Sequence, residues 1–180
     1  MVLGHSMGSW VVQQFLLDHS ADVTAAVLSG TAALELVLAG VDPTRELDLS
    51  DFNAPFAPGR TGFEWLSRDP AEVDQYVAEP MCGFGLDPDG VRGMMDAAPR
   101  LVDTSGLRAG LPLYVLAGSD DPVNGGMAAL GPLVDRYRAA GVDLTTRIYP
   151  GGRHEMFNET NRDEVVADLI DWLNRYLPPA

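Results

Sequence analysis

The chain has 180 residues, 46% apolar and 21% charged, enough for one folded domain with a real hydrophobic core and unlike a disordered chain. Its formal charge is −14, from 26 acids against 12 bases, and every base is arginine. So acidic a chain repels phosphate backbones and anionic membranes, which excludes nucleic-acid binding; its one cysteine, Cys82, excludes an internal disulfide or a cysteine metal cluster.

Residues 1–3 are apolar and read as the end of a strand, shorter than a usual strand. Residues 8–19 read as a helix. Val11, Val12, Phe15 and Leu16 share one face, and Gln13, Gln14 and Asp18 fall elsewhere. Val23 to Gly30 and Leu111 to Ser119 are apolar runs with little alternation, as in strands buried on both faces of a parallel sheet. Leu144 to Tyr149 is more mixed and predicts a strand nearer an edge. A helix over 126–140 precedes it, with Gly141 as the left-handed stop. The last helix opens on Asn161 as N-cap with Glu164 as capping-box partner. Its apolar stripe is Val165, Val166, Leu169, Ile170, Leu173 and Leu177, and Pro178-Pro179 ends it. Alternating strands and helices predict an α/β fold with a mostly parallel sheet and flanking helices. No apolar run is long enough for stable membrane insertion.

Residues 32–105 break the alternation. They hold seven of the prolines and many large apolar side chains, too many for a structureless loop. They read as an inserted, largely helical cap on a core made of 1–31 and 106–180. Phe52, Phe56, Trp65 and Phe84 belong to this insertion. They are divided between its own core and the lipophilic wall of a substrate pocket.

The chemistry begins at residue 4. Gly4-His5-Ser6-Met7-Gly8 matches G-x-S-x-G, a nucleophile elbow between a strand and a helix. The turn lifts the Ser6 hydroxyl clear of the sheet. The helix N-terminus, with the Met7 amide as donor, faces the developing oxyanion. An activated serine needs a base and an orienting acid. His154 follows the last strand in Pro150-Gly151-Gly152-Arg153-His154, and Asp120-Asp121 follows the strand before it. Both turns lie where open α/β sheets place their sites. Composition does not separate Asp120 from Asp121, and Glu155 is a weaker third acid. His5 is read as packing or bonding locally, and His19 and Cys82 as structural. Three dispersed histidines make no metal site, and no cofactor is implied.

With these residues in view, the chain resembles the C-terminal part of an α/β-hydrolase. The group is that of monoacylglycerol lipases and lysophospholipases, which includes serine aminopeptidase-like members. The matching segments are GHSMG at 4–8, SGT at 29–31, CGF at 82–84, AGSDDPV at 117–123 and YPGGRHEMFNE at 149–159. The resemblance implies Ser6 as nucleophile, His154 as base and Asp121, at the fourth place of a G-x-x-D turn, as acid. It also implies a cap at 32–105 and a small acyl ester substrate such as a monoacylglycerol or lysophospholipid. Amidases, thioesterases and cofactor-free haloperoxidases use the same triad. Epoxide hydrolases and dehalogenases place aspartate where Ser6 stands.

Relative to that family the front of the sheet is absent, on the order of 100 residues. An incomplete fold is therefore expected, with an open apolar edge at the first strand and one oxyanion donor lost. The alternative reading is a truncated, catalytically impaired fragment that serves as a binding protein. Met1 opens directly onto the motif without a leader, and a cytoplasmic location is expected. The sequence carries no signal of oligomeric state.

Overall fold

The computed structural model describes residues 1–177. Four strands, β1 (Val2–His5), β2 (Ala26–Ser29), β3 (Pro112–Gly118) and β4 (Asp143–Tyr149), form one parallel sheet in the order β1-β2-β3-β4. Every residue of β2 and β3 is buried, as strands without polar alternation require when both faces are covered. β4 pairs on one side only and is the mixed strand.

Among the described residues six α-helices accompany the sheet: α1 (Met7–His19), α2 (Leu34–Val37), α3 (Pro70–Ala78), α4 (Pro88–Val102), α5 (Leu130–Ala139) and α6 (Arg162–Leu173). Val12 and Leu16 of α1 and Leu133 of α5 pack with Leu28 and Leu113 on one side of the sheet. Leu169 and Trp172 of α6 pack with Val27, Tyr114 and Leu116 on the other. A third cluster joins Trp10, Leu34, Trp65, Leu66 and Leu101 to Val123, just past the carboxyl end of β3. No described helix is long and apolar enough to cross a membrane.

The register of the helices departs from the expected stripes. Val11 is 64% exposed and Phe15 40%, whereas Trp10 and Gln13 are buried. The buried face is Ser9, Val12, Gln13 and Leu16, because the polar members have internal partners. Gln13 Nε2 and Ser9 Oγ both donate to Thr31 Oγ1, and Trp10 Nε1 donates to the Ala32 carbonyl. In α6, Val166 and Ile170 face solvent and Trp172 is buried, donating to Thr145 Oγ1. The capping box at Asn161 does not form. Asn161 Oδ1 accepts from Arg68 instead, and its side-chain Nδ2 donates to Glu164 Oε2. The helix expected from residue 126 begins at Leu130, because Gly125, Gly126 and Met127 all take positive φ. Gly141 ends it at φ 72°. The Pro178-Pro179 stop lies outside the described residues.

Between β2 and β3 the helices are set by local signals. Asp69 and Asp87 accept from the Ala71 and Gly90 amides, with Pro70 and Pro88 at the first helical position. Glu64 closes the loop that precedes Trp65. Its carboxylate accepts from the Arg60, Thr61 and Gly62 amides, the Thr61 hydroxyl and Asn53 Nδ2. Burial alone would raise its pKa, but these bonds hold it down at about 2. Asn53 Oδ1 in turn accepts the Trp65 amide.

Candidate active site

Ser6 sits between β1 and α1 with φ 52° and ψ −125°, a left-handed conformation that side chains rarely adopt. Hydrogen bonds hold it there: its amide donates to the Ser29 carbonyl at 2.9 Å, and its carbonyl accepts the Ser9 hydroxyl at 2.6 Å and the Ser9 amide at 2.8 Å. Gly4 is needed because a Cβ there would overlap the Gly8 carbonyl oxygen. Gly8 itself meets nothing, so the close packing depends on Gly4 alone of the flanking pair. Met7 is the first residue of α1, and an amide at that position has no acceptor within the helix.

Asp121 and His154 lie past the carboxyl ends of β3 and β4. His154 Nδ1 and Asp121 Oδ2 are 3.0 Å apart, and both side chains are almost wholly buried. The second Asp121 oxygen accepts the Val123 amide. The adjacent Asp120 is exposed and takes the Ser119 hydroxyl, so geometry separates two residues that composition could not. Glu155 turns away to accept from Asn158. His154 Nε2 is buried with no protein partner, and no hydrogen bond joins it to Ser6.

Ser6, Met7 and His154 line one cavity of about 770 Å³. Phe52, Trp65 and Phe84 belong to its wall, with Phe84 70% exposed. Phe56 does not belong to it; its ring lies under the Arg153 guanidinium, 4.2 Å away. Cys82 also lines the cavity and is half-buried, an unexpected place for a structural cysteine. Among the described residues, no cluster of three or more histidine, cysteine or carboxylate side chains is placed to hold a metal.

Three features escaped sequence reasoning. First, His5 also lines the cavity, with its ring centroid 4.9 Å from that of His154. Burial pushes its imidazole down to about 4, helped by nearby His154 and opposed by Asp121 and Ser29. Second, Trp65 covers His154 with ring centroids 4.9 Å apart. Third, Glu159 is fully buried and ties the His154 turn to the insertion. It accepts from the Arg153, Arg68 and Thr160 amides and from Arg68 Nε. Burial opposes its ionisation, but these donors leave its pKa lowered. The only sequence signal was a glutamate five residues after His154.

The model of the serine aminopeptidase S33 family matches residues 1–161. The chain belongs to that family. It is 32% identical over 184 residues to a monoacylglycerol lipase of Mycolicibacterium smegmatis, covering 98% of this chain and 62% of that protein. A thermostable carboxyl esterase of Bacillus coagulans, solved with glycerol, superposes with a TM-score of 0.75 at 25% identity. The match covers 97% of this chain and 64% of the esterase. A monoacylglycerol lipase of Paleococcus ferrophilus shares the fold, with a TM-score of 0.71 at 20% identity over 97% of this chain and 68% of that one. The fold is that of the α/β-hydrolases, and the chain spans a little under two thirds of the first two relatives.

Proposed function

We propose that these residues carry the reacting groups of a serine ester hydrolase. The observation that carries this reading is the buried His154–Asp121 pair, whose His154 lines the same cavity onto which the strained Ser6 turn opens. His154 Nε2, without a protein partner, takes the proton of the Ser6 hydroxyl as Ser6 Oγ attacks the ester carbonyl. Apo hydrogen bonds of this kind are often long and tighten when substrate binds. The Met7 amide donates to the tetrahedral oxyanion. Asp121 fixes the imidazole and stabilises its cation. The alcohol leaves with the proton from His154, and water then releases the acid from the acyl-enzyme.

The substrate class is an acyl ester with a long apolar tail, such as a monoacylglycerol or a lysophospholipid. A large, mainly apolar wall favours it. So do the lipase activity named for the mycobacterial relative and the glycerol bound by the esterase. Residues 32–105 form the cap over the cavity, and 1–31 with the described residues from 106 on form the core. The chemistry needs no cofactor.

Intact-mass labelling with a fluorophosphonate tests the mechanism. One adduct on the parent and none on Ser6→Ala is the expected result; a folded parent that takes no adduct overturns it. p-Nitrophenyl esters run beside aminoacyl amides separate an esterase from the peptidase of the family's name.

A further inference from the structure

We propose that His5 is a positioning residue for His154: its ring, anchored on Ser29, forms one wall of a closed slot that holds the base and keeps water from its face. The proposal rests on the reading of His154 as the base.

The slot has three sides. The His5 ring stands on one, with centroids 4.9 Å apart and planes 48° from parallel. The Trp65 ring also packs against His154, at the same distance and 41°. Gly30 forms the floor. A Cβ there would stand 2.9 Å from His154 Cε1 and 3.0 Å from His5 Cε1, so the glycine makes room for both imidazoles. Its φ of 55° is a second reason for glycine at this place.

His5 cannot swing away. The β1–β2 register places it opposite Ser29, and its Nδ1 lies 3.2 Å from Ser29 Oγ. The next residue is locked to the Ser29 carbonyl through its own amide. One strand end therefore carries both the nucleophile and a wall for the base.

The charges around the slot fit this role. Asp121, from the turn after β3, is the carboxylate bonded to the His154 ring. Trp65, from the insertion, is uncharged, and Glu155 is engaged with Asn158. The charges felt by His5, from β1, are those of His154 and Asp121. Held neutral, it adds no like charge beside the imidazolium that forms during turnover. It also keeps the cation out of water, so that His154 readily returns its proton to the leaving alcohol.

Nitrogen-detected NMR of the imidazoles tests this, because the chain has only three histidines to assign. His5→Ala opens a hole that water enters beside His154. His5→Phe refills the slot with a ring. Ser29→Ala releases the His5 ring without removing it. Exchange of the His154 Nδ1 proton with solvent should speed up by about tenfold in His5→Ala, less in Ser29→Ala, and least in His5→Phe, because water reaches the ring that Asp121 holds. Turnover of a p-nitrophenyl ester should fall about tenfold in kcat for His5→Ala with KM held, as expected when geometry and not substrate affinity is lost. An unchanged exchange rate in His5→Ala overturns the proposal, as does a gain in His5→Phe as large as in His5→Ala. Should His5→Ala fail to fold, an unchanged exchange rate in Ser29→Ala overturns it equally. Exchange rates ordered as expected in a parent that hydrolyses no ester would sink the functional reading and leave the slot standing.

Discussion

Replacing Glu159 by glutamine should damage stability and activity together. The glutamine oxygen can still accept the Arg153 and Arg68 amides that now meet Oε1, at 3.0 and 3.1 Å. The new amide group must then face Arg68 Nε and the Thr160 amide, both 2.8 Å from Oε2, with donor against donor. Breaking a buried ion pair costs about 3–5 kcal/mol. The lower figure, about 3, applies because Arg68 keeps 33% of its side chain in water and can rehydrate. In a chain of this size that lowers Tm by about 6–12 °C. The His154 turn would also lose one of its ties to the insertion, and a misplacement near 1 Å costs about 10²-fold in rate. Differential scanning fluorimetry and the rate of fluorophosphonate labelling read the two effects. The Arg68→Met Glu159→Gln double variant should lose less than the sum of its singles, since the two residues share one contact. A single variant with Tm within about 2 °C of the parent and a parental labelling rate would refute the reasoning.

Three further outcomes are expected. Asp121→Asn should slow labelling by about 10³–10⁴-fold through loss of the correct tautomer, while the exposed neighbour Asp120→Asn stays within about twofold; the same assay reads both, and equal losses would reverse the assignment. Gly30→Ala forces a Cβ to within 2.9–3.1 Å of both imidazoles at φ 55°, so labelling should collapse while circular dichroism reports a folded chain. Stability should fall with pH in two stages, read as urea midpoints. His5 ionises at about 4 folded against 6.5 ordinarily, so the unfolded state binds the extra proton and up to about 3 kcal/mol is lost between pH 6.5 and 4. Glu64, held at about 2 against 4.5, contributes stability that is lost below pH 4.5, and His5→Asn should flatten the first stage only.

The parts of this molecule that were legible in the sequence are those fixed locally. Runs such as VTAAVLSG and LPLYVLAGS have no polar alternation, and a strand covered on both faces requires none. The elbow was readable because its glycine is demanded within four residues, where Gly4 meets Gly8. Choices made by tertiary contact were not readable. Gln13 looks like a surface residue until Thr31 takes its amide, and Asn161 looks like a cap until Arg68 takes its oxygen. Asp120 and Asp121 differ only in what lies opposite them. Phe56 has the same composition signal as Phe52, but a guanidinium from a distant turn covers it. His5 adjoins Ser6 on a tight turn, where adjacent side chains point apart; Ser29 and Gly30, at the end of another strand, bring its ring back to the site.

The same contacts divide the insertion into two parts with different duties. The amides of His154 and Glu155 donate to the carbonyls of Trp65 and Leu66. Arg153 reaches the carbonyls of Glu64 and Ser67, and the Ser67 hydroxyl returns a bond to the Asn158 carbonyl. With Arg68 on Glu159, the strip 64–68 is bonded to the turn that holds His154 at every residue. By contrast Met81 and Phe84 are exposed wall, 76% and 70% open, without a bond to that turn. Substitution at Met81 or Phe84 reshapes the cavity and should act on KM, whereas substitution in 64–68 moves His154 and should act on kcat. The strip thus belongs mechanically to the His154 turn, although some ninety residues of chain separate the two.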